Sequence, residues 1–293
     1  LKADFAMELE AALAAAPTIT EIGMAALLPG ADVSAKVVSV GNGKLALEVD
    51  GVVAKNRKDR VTLLTQRAGV SVFETKLDNL LPKPSKKTQE GIAAAELILV
   101  TSQEIDELCE QGNITQAHRQ MDGVLNDLRR GIRVLAEAGV QRIILTSDHG
   151  HLFADELSED MKVDAPGGNT VDLHRRVWIG NGGNINDACV RGPLSVFGMD
   201  GEYDLASPWT FACFKVQGGA SAYFHGGLSP QELVIPVMTL KPTVSAAAAS
   251  LPGIDWKLTP GSQKLSTRFF SVQIGGTNTG LFEFKPPAVR VEL

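Results

Sequence analysis

The chain has 293 residues, with 28 Lys and Arg against 34 Asp and Glu, a formal net charge of -6 and 44% hydrophobic residues. That length and composition suit a globular chain with a sizeable core and room for more than one domain, and the charge balance excludes an overall basic nucleic-acid coat while leaving room for a local basic groove. Cys109, Cys189 and Cys213 are too scattered for a disulfide framework or a thiolate zinc knuckle, no apolar run is long enough to span a membrane, and no signal-peptide order is visible, so the expected setting is the cytoplasm.

From Leu1 to Ala16, Phe5, Leu9 and Leu13 recur every four residues among alanines, which predicts a helix broken by Pro17. Ile22 to Leu28, closed by Pro29-Gly30, predicts a short second helix with Thr20 at or near its start. Alternating runs then follow, punctuated by Asn42-Gly43 and Asp50-Gly51, two hairpin dipeptides that tolerate positive φ. They predict a β-hairpin insertion over 36–90 whose return linker is the Pro- and Lys-rich segment Pro82 to Gly91.

The β-branched run Glu96 to Thr101 predicts a buried strand, Thr115 to Ala138 an amphipathic helix with Gly139 at its C-cap, and Gln141 to Thr146 another strand. Such a strand–helix–strand unit belongs to an α/β sheet flanked by helices, in which functional side chains collect beyond the carboxyl ends of parallel strands. Those ends deliver Ser102 to Asp106 and Ser147 to His151. Past residue 242, an alanine/serine linker leads to Arg268 to Ile274 and Leu281 to Phe284, which alternate like strands of a partial β-rich domain over 243–293. The chain opens with Leu1 inside a regular pattern and stops at Leu293 in a strand-like run, so both ends read as cut.

Asp148 and His149 stand at a strand end beside Gly150, a turn that lets carboxylate and imidazole converge on a metal. A helix-capping Asp beside an exposed His is the alternative. His225 follows Tyr223-Phe224 and precedes two glycines, so it can reach out of a strand end or serve the core. Asp106 and Glu110 share one face of a helical turn, which an acidic helix start also explains. A hydroxyl at a helix start can attack phosphorus or sulfur once a metal lowers its pKa, which makes Thr20 a candidate nucleophile and Thr18 its near alternative; plain N-capping accounts for either. There is no Walker sequence and no dinucleotide fingerprint.

Taken in order, the string Pro17-Thr18-Ile19-Thr20-Glu21-Ile22-Gly23, the Asp106 segment, Thr146-Ser147-Asp148-His149-Gly150 and His225-Gly226-Gly227-Leu228-Ser229-Pro230-Gln231-Glu232-Leu233 resemble the PglZ domain. That family belongs to the alkaline phosphatase superfamily and is found in BREX phage-defence systems. The resemblance runs from about Leu1 to about Leu240. It implies an alkaline-phosphatase-like fold over 1–242 and two divalent metal ions, usually zinc. It also implies Thr20 as nucleophile, Asp148 and His149 on the ion that binds it, and Asp106 and His225 on the other. Glu110 falls where many superfamily members have His. Leu1-Lys2 matches the end of a string whose Asp, the first ligand, lies upstream, so the resemblance further implies that this carboxylate and its strand are missing and that metal affinity suffers.

The expectation is therefore a metal-dependent phosphatase or phosphodiesterase of a phage-defence system, working beside other defence proteins on a phosphomonoester, a nucleotide or a nucleic acid. The alternative is an inactive structural or interaction subunit of such a complex. A sulfatase is disfavoured, because no cysteine stands near Thr20.

Overall fold

The computed structural model describes residues 1–2, 4–111, 114–153, 157–184, 187–216, 223–243, 254–260 and 272–278. Two compact units divide the chain, Leu1–Thr243 and Val244–Leu293.

The first segment is a strand, β1 (Phe5–Leu13), where the sequence pattern predicts a helix. It pairs antiparallel with β17 (Val234–Pro242) along its whole length, Phe5 opposite Pro242 and Leu13 opposite Val234. A spacing of four is also twice the strand period, so Phe5, Leu9 and Leu13 share one strand face as readily as one helix face. Phe5 is buried, whereas Leu9 and Leu13 are 65% and 76% exposed, which a core-facing helical stripe does not allow.

Next comes α1 (Thr20–Ala26), as expected, and then the antiparallel strands β2 (Ala35–Gly41), β3 (Lys44–Val49) and β4 (Val52–Ala54). Asn42-Gly43 and Asp50-Gly51 turn these hairpins with all four residues at positive φ. Val37, Leu45, Leu47 and Val49 pack in one core with Ile19 and Ile22 of the α1 region and with Ile179 and Leu205 from much later in the chain.

Helix α2 (Arg57–Ala68), which the sequence reading passed over, is capped by Asn56, whose side chain accepts from the Asp59 N–H, and stops at Gly69 in the left-handed region. β5 (Val72–Lys76) follows. Part of the predicted linker is helical: Ser85 caps α3 (Lys86–Ala94) by accepting from the Thr88 N–H. β6 (Leu97–Thr101) then pairs parallel with β5.

Helices α4 (Glu104–Gln111) and α5 (Ile114–Glu137) lead to β7 (Ile143–Thr146), with Gly139 at φ 96° just beyond α5. β7 pairs antiparallel with β17, giving the order β1–β17–β7, so among the described ladders the strands flanking α5 are not in one parallel sheet. Ile132 and Leu135 of α5 nonetheless share a core with Phe5, Leu77, Leu80, Ile92, Ile143 and Leu240, which ties the helix to both strand sets.

Short strands follow: β8 (Leu152–Phe153), β9 (Lys162–Val163), β10 (Asn169–Leu173), β11 (Trp178–Asn181), β12 (Cys189–Pro193), β13 (Asp200–Gly201), β14 (Asp204–Pro208), β15 (Cys213–Phe214) and β16 (Tyr223–Phe224). Their main sheet has the order β10–β11–β14–β12, while β13 extends the hairpin sheet beside β2 and β16 pairs with β8. α6 (Pro230–Leu233) then feeds β17. In the second unit, β18 (Ile254–Pro260) and β19 (Val272–Asn278) form an antiparallel pair. The predicted strand Leu281 to Phe284 and the start of Arg268 to Ile274 lie outside the described residues. Among the described residues no helix is long and apolar enough to cross a membrane.

Candidate active site

Thr20 is the first residue of α1, and its approach is fixed by Thr18. The Thr18 side chain is fully buried, donates to the Gly227 carbonyl at 2.8 Å and accepts from the Gly226 N–H at 3.0 Å. Thr18 is thus engaged in joining two chain segments 208 and 209 residues apart, while Thr20 turns its hydroxyl to His149, with Oγ1 3.3 Å from Nε2.

Helix α1 lies directly on Asp148. A Cβ on Gly23 would meet the Asp148 carbonyl oxygen at 2.5 Å and its Cβ at 3.0 Å, so only glycine permits this approach. Gly150 plays the same part on the other side of the turn: its N–H donates to the Glu232 carbonyl at 2.9 Å, and a Cβ there would meet the Gln231 carbonyl at 2.1 Å. Asp148 and His149 are clamped between α1 and α6.

The imidazole of His149 is nearly inaccessible, and its Nδ1 lies 3.0 Å from the Gly150 carbonyl. A carbonyl only accepts, so Nδ1 carries the proton and, in the neutral ring, Nε2 presents its lone pair. That lone pair faces both the Thr20 hydroxyl and Asp148 Oδ2, the latter at 3.5 Å. His225 repeats the device, its Nδ1 lying 3.1 Å from the Thr18 carbonyl, and its ring stacks on His149 with centroids 4.2 Å apart and planes 6° from parallel.

Asp106 enters from α4, where its carboxylate accepts a hydrogen bond from the Tyr223 hydroxyl. Burial is the strongest influence on Asp148 and pushes its carboxyl above the ordinary value; Asp106 adds to the rise and His149 opposes it. The side chain of Glu110 lies outside the described residues.

The His225 turn is held from behind by a fully buried ion pair. Glu232 accepts from Arg176 Nε at 3.2 Å and Nη2 at 3.0 Å, and from the backbone N–H groups of Gly227 at 2.9 Å and Ser229 at 3.1 Å. Arg176 also donates to the Ala212 carbonyl. Each charge has its partners, which is the condition for keeping such a pair buried.

Thr20, Asp148, His149 and His225 therefore gather at one place, with Asp106 within electrostatic reach of Asp148. Two participants lie outside the sequence reading: Tyr223 holds Asp106, and Glu232 holds the His225 turn. The weaker candidate His174 has its Nε2 3.1 Å from Asp172 Oδ2. The strings around Tyr223 and Glu232 were visible, but their contacts join residues too far apart in sequence for any local pattern to show.

The donor set suits a divalent cation. Two imidazoles have Nδ1 tied to backbone carbonyls, the arrangement that fixes metal-binding Nε2 atoms, and the half-buried Asp148 carboxylate lies 3.5 Å from Nε2 of His149. Among the described residues, however, no three His, Cys, Asp or Glu side chains converge at ligand spacing. The side chains of Cys109, Cys189 and Cys213 are buried, and burial pushes the Cys213 thiol up to about 11.

The profile of the BREX system PglZ alkaline phosphatase-like domain matches residues 1–240. The chain belongs to the PglZ family. Its relatives include the alkaline phosphatase-like protein BrxZ of Escherichia coli O9:H4 (strain HS), 27% identical over 85% of this chain and 28% of that protein. The alkaline phosphatase-like protein PglZ of Bacillus cereus (strain H3081.97) is 24% identical over 85% of this chain and 29% of that protein. The chain thus spans less than a third of the length of either relative. Membership of the PglZ family agrees with the strings around Thr20, Asp148 and His225 and associates the chain with BREX phage defence.

Proposed function

We propose that this chain is the phosphoric-ester hydrolase core of a phage-defence component, with Thr20 as its nucleophile. The observation that carries the reading is the approach of the Thr20 hydroxyl to the lone pair of His149 beside the half-buried Asp148 carboxylate. Asp148 and His149 are suited to hold one divalent ion, and Asp106 and His225 a second. Bound there, such ions supply positive charge to the phosphoryl oxygens and to the departing oxygen.

The residues of the chain divide the remaining work. Gly23 and Thr18 fix the position of Thr20, so that its oxygen meets phosphorus along one line. The Thr20 O–P bond forms as the ester O–P bond breaks, the alcohol leaves with a proton, and water then cleaves the phosphothreonine to restore the hydroxyl. Tyr223 holds the Asp106 carboxylate, and Glu232 keeps the His225 turn in place. Defence proteins are the proposed partners, and a nucleotide or nucleic acid the proposed substrate.

Purified full-length protein should hydrolyse a chromogenic phosphodiester with added zinc, and Thr20→Ala should abolish this by a factor of about a thousand or more while leaving zinc content alone. Among the described residues no three metal-type ligands converge, which favours a second reading, a structural subunit that keeps the family fold without its chemistry. Bound zinc without ester cleavage would establish that second reading.

A further inference from the structure

The turn that follows β14 leaves two aromatic rings in solvent: Trp209 is 53% exposed and Phe211 46%. The turn is nonetheless fixed. The Trp209 N–H donates to the Ala188 carbonyl at 3.0 Å, and the Ala212 N–H donates to the Trp209 carbonyl at 3.1 Å. Thr210, between the two rings, stands at φ 51°, a left-handed conformation that is strained for a β-branched residue and marks ligand-gripping turns elsewhere in proteins.

Trp209 belongs to the walls of two cavities, which are therefore neighbours. The smaller, of about 260 Å³, is lined by the apolar Leu152, Pro208, Phe211, Leu228 and Pro230 together with Ser207. Ser207 is 1% exposed, and its buried Oγ has no hydrogen-bond partner among the described residues. An orphaned hydroxyl in an apolar cavity is a group that a ligand stabilises by supplying the missing partner. The space falls below the range of drug-sized ligand sites and suits one ring with a polar edge.

The larger cavity, of about 690 Å³, is charged: Asp187, Arg191 and Asp204 line it beside Trp209. Arg191 is already committed. Its Nε and Nη2 donate to Asp204 Oδ2 at 3.0 and 2.8 Å, and its guanidinium carbon lies 4.8 Å from the centre of the Trp178 ring. The carboxylate of Asp187, which makes no ion pair among the described residues, is left over beside an exposed indole. That combination attracts a cation and repels a phosphate.

We propose that the two cavities form a docking site for a protein partner presenting a tyrosine next to an arginine or lysine. The phenol ring enters the smaller cavity with its hydroxyl against Ser207, and the cation lies on Trp209 toward Asp187. A nucleotide would satisfy the smaller cavity but would bring its phosphate to the acidic one. Exposed Trp, Tyr and Arg are also the side chains that most often anchor protein interfaces. The site does not depend on the hydrolase reading, because none of its residues is among Thr20, Asp106, Asp148, His149 and His225.

The test uses full-length protein and a blocked tetrapeptide, acetyl-Gly-Tyr-Arg-Gly-amide, with binding read by saturation-transfer NMR. The peptide should bind with a Kd of about 1 mM or tighter. Phenylalanine in place of its tyrosine should weaken binding about threefold to tenfold, and glutamate in place of its arginine about tenfold or more. Trp209→Ala should lower the affinity at least about tenfold with an unchanged thermal midpoint. Ser207→Ala should make the tyrosine and phenylalanine peptides bind alike. No binding to the parent at several times that concentration, or equal binding to the parent and to Trp209→Ala, would overturn the proposal. Displacement of the peptide by adenosine monophosphate would overturn it too, and would make the cavities a nucleotide site.

Discussion

Gly23 is where a single hydrogen atom decides how close α1 comes to Asp148. Gly23→Ala must push a Cβ into the Asp148 carbonyl, at a cost of about 1–3 kcal/mol in stability, with loss of ester hydrolysis as Thr20 is carried away from His149. Urea denaturation and the chromogenic assay check the two effects together, and unchanged values would mean that α1 does not rest there. Glu232 poses the complementary question of charge. Glu232→Ala strands Arg176 in the interior without its partner and should cost about 3–5 kcal/mol, read from the denaturation midpoint. His174 supplies a pH handle. Its hydrogen bond to Asp172 raises its pKa above the ordinary histidine value, against the pull of burial and of His225. The stabilisation this pair gives is present in full below the unfolded pKa of about 6.5 and is lost as pH rises through the higher folded value. Asp172→Asn should lower that folded pKa, which imidazole NMR titration reads; an unmoved titration would dissociate Asp172 from it.

At the scale of elements, α2 depends on its cap. Asn56→Ala removes the acceptor of the Asp59 N–H and should destabilise the chain by about 1 kcal/mol, a shift that urea denaturation resolves. The cap, the acidic Asp59 in the first turn and Gly69 after the last turn are all legible in the sequence, although they stand among hairpin signals that point to strands. β1 differs from the predicted helix for another reason, since a four-residue stripe satisfies both periods and only its partner β17 decides between them. The hairpins were readable because Asn42-Gly43 and Asp50-Gly51 encode their backbone angles locally. For the same reason Thr20, Asp148 and His225 could be picked out within short strings. Tyr223 against Asp106 could not, because that relation exists only after residues 117 positions apart are brought together.

At the scale of the whole molecule, residues 1–240 match the PglZ domain and Leu1–Thr243 form one compact unit, closed by the Thr243 N–H on the Asp4 carbonyl. A chain ended at Thr243 should keep the unfolding midpoint of the longer one within a few degrees in a thermal scan, and a larger fall would make the second unit part of the first one's stability. The central claim concerns what the two imidazoles and two carboxylates hold. Elemental analysis of purified full-length protein tests it most directly, comparing the parent with a variant carrying both Asp148→Asn and His225→Ala. The account predicts tightly bound zinc in the parent and little in the variant. No divalent metal in the parent, or an equal content in both, would contradict it and leave Asp148, His149 and His225 as parts of a folded core rather than of a metal centre.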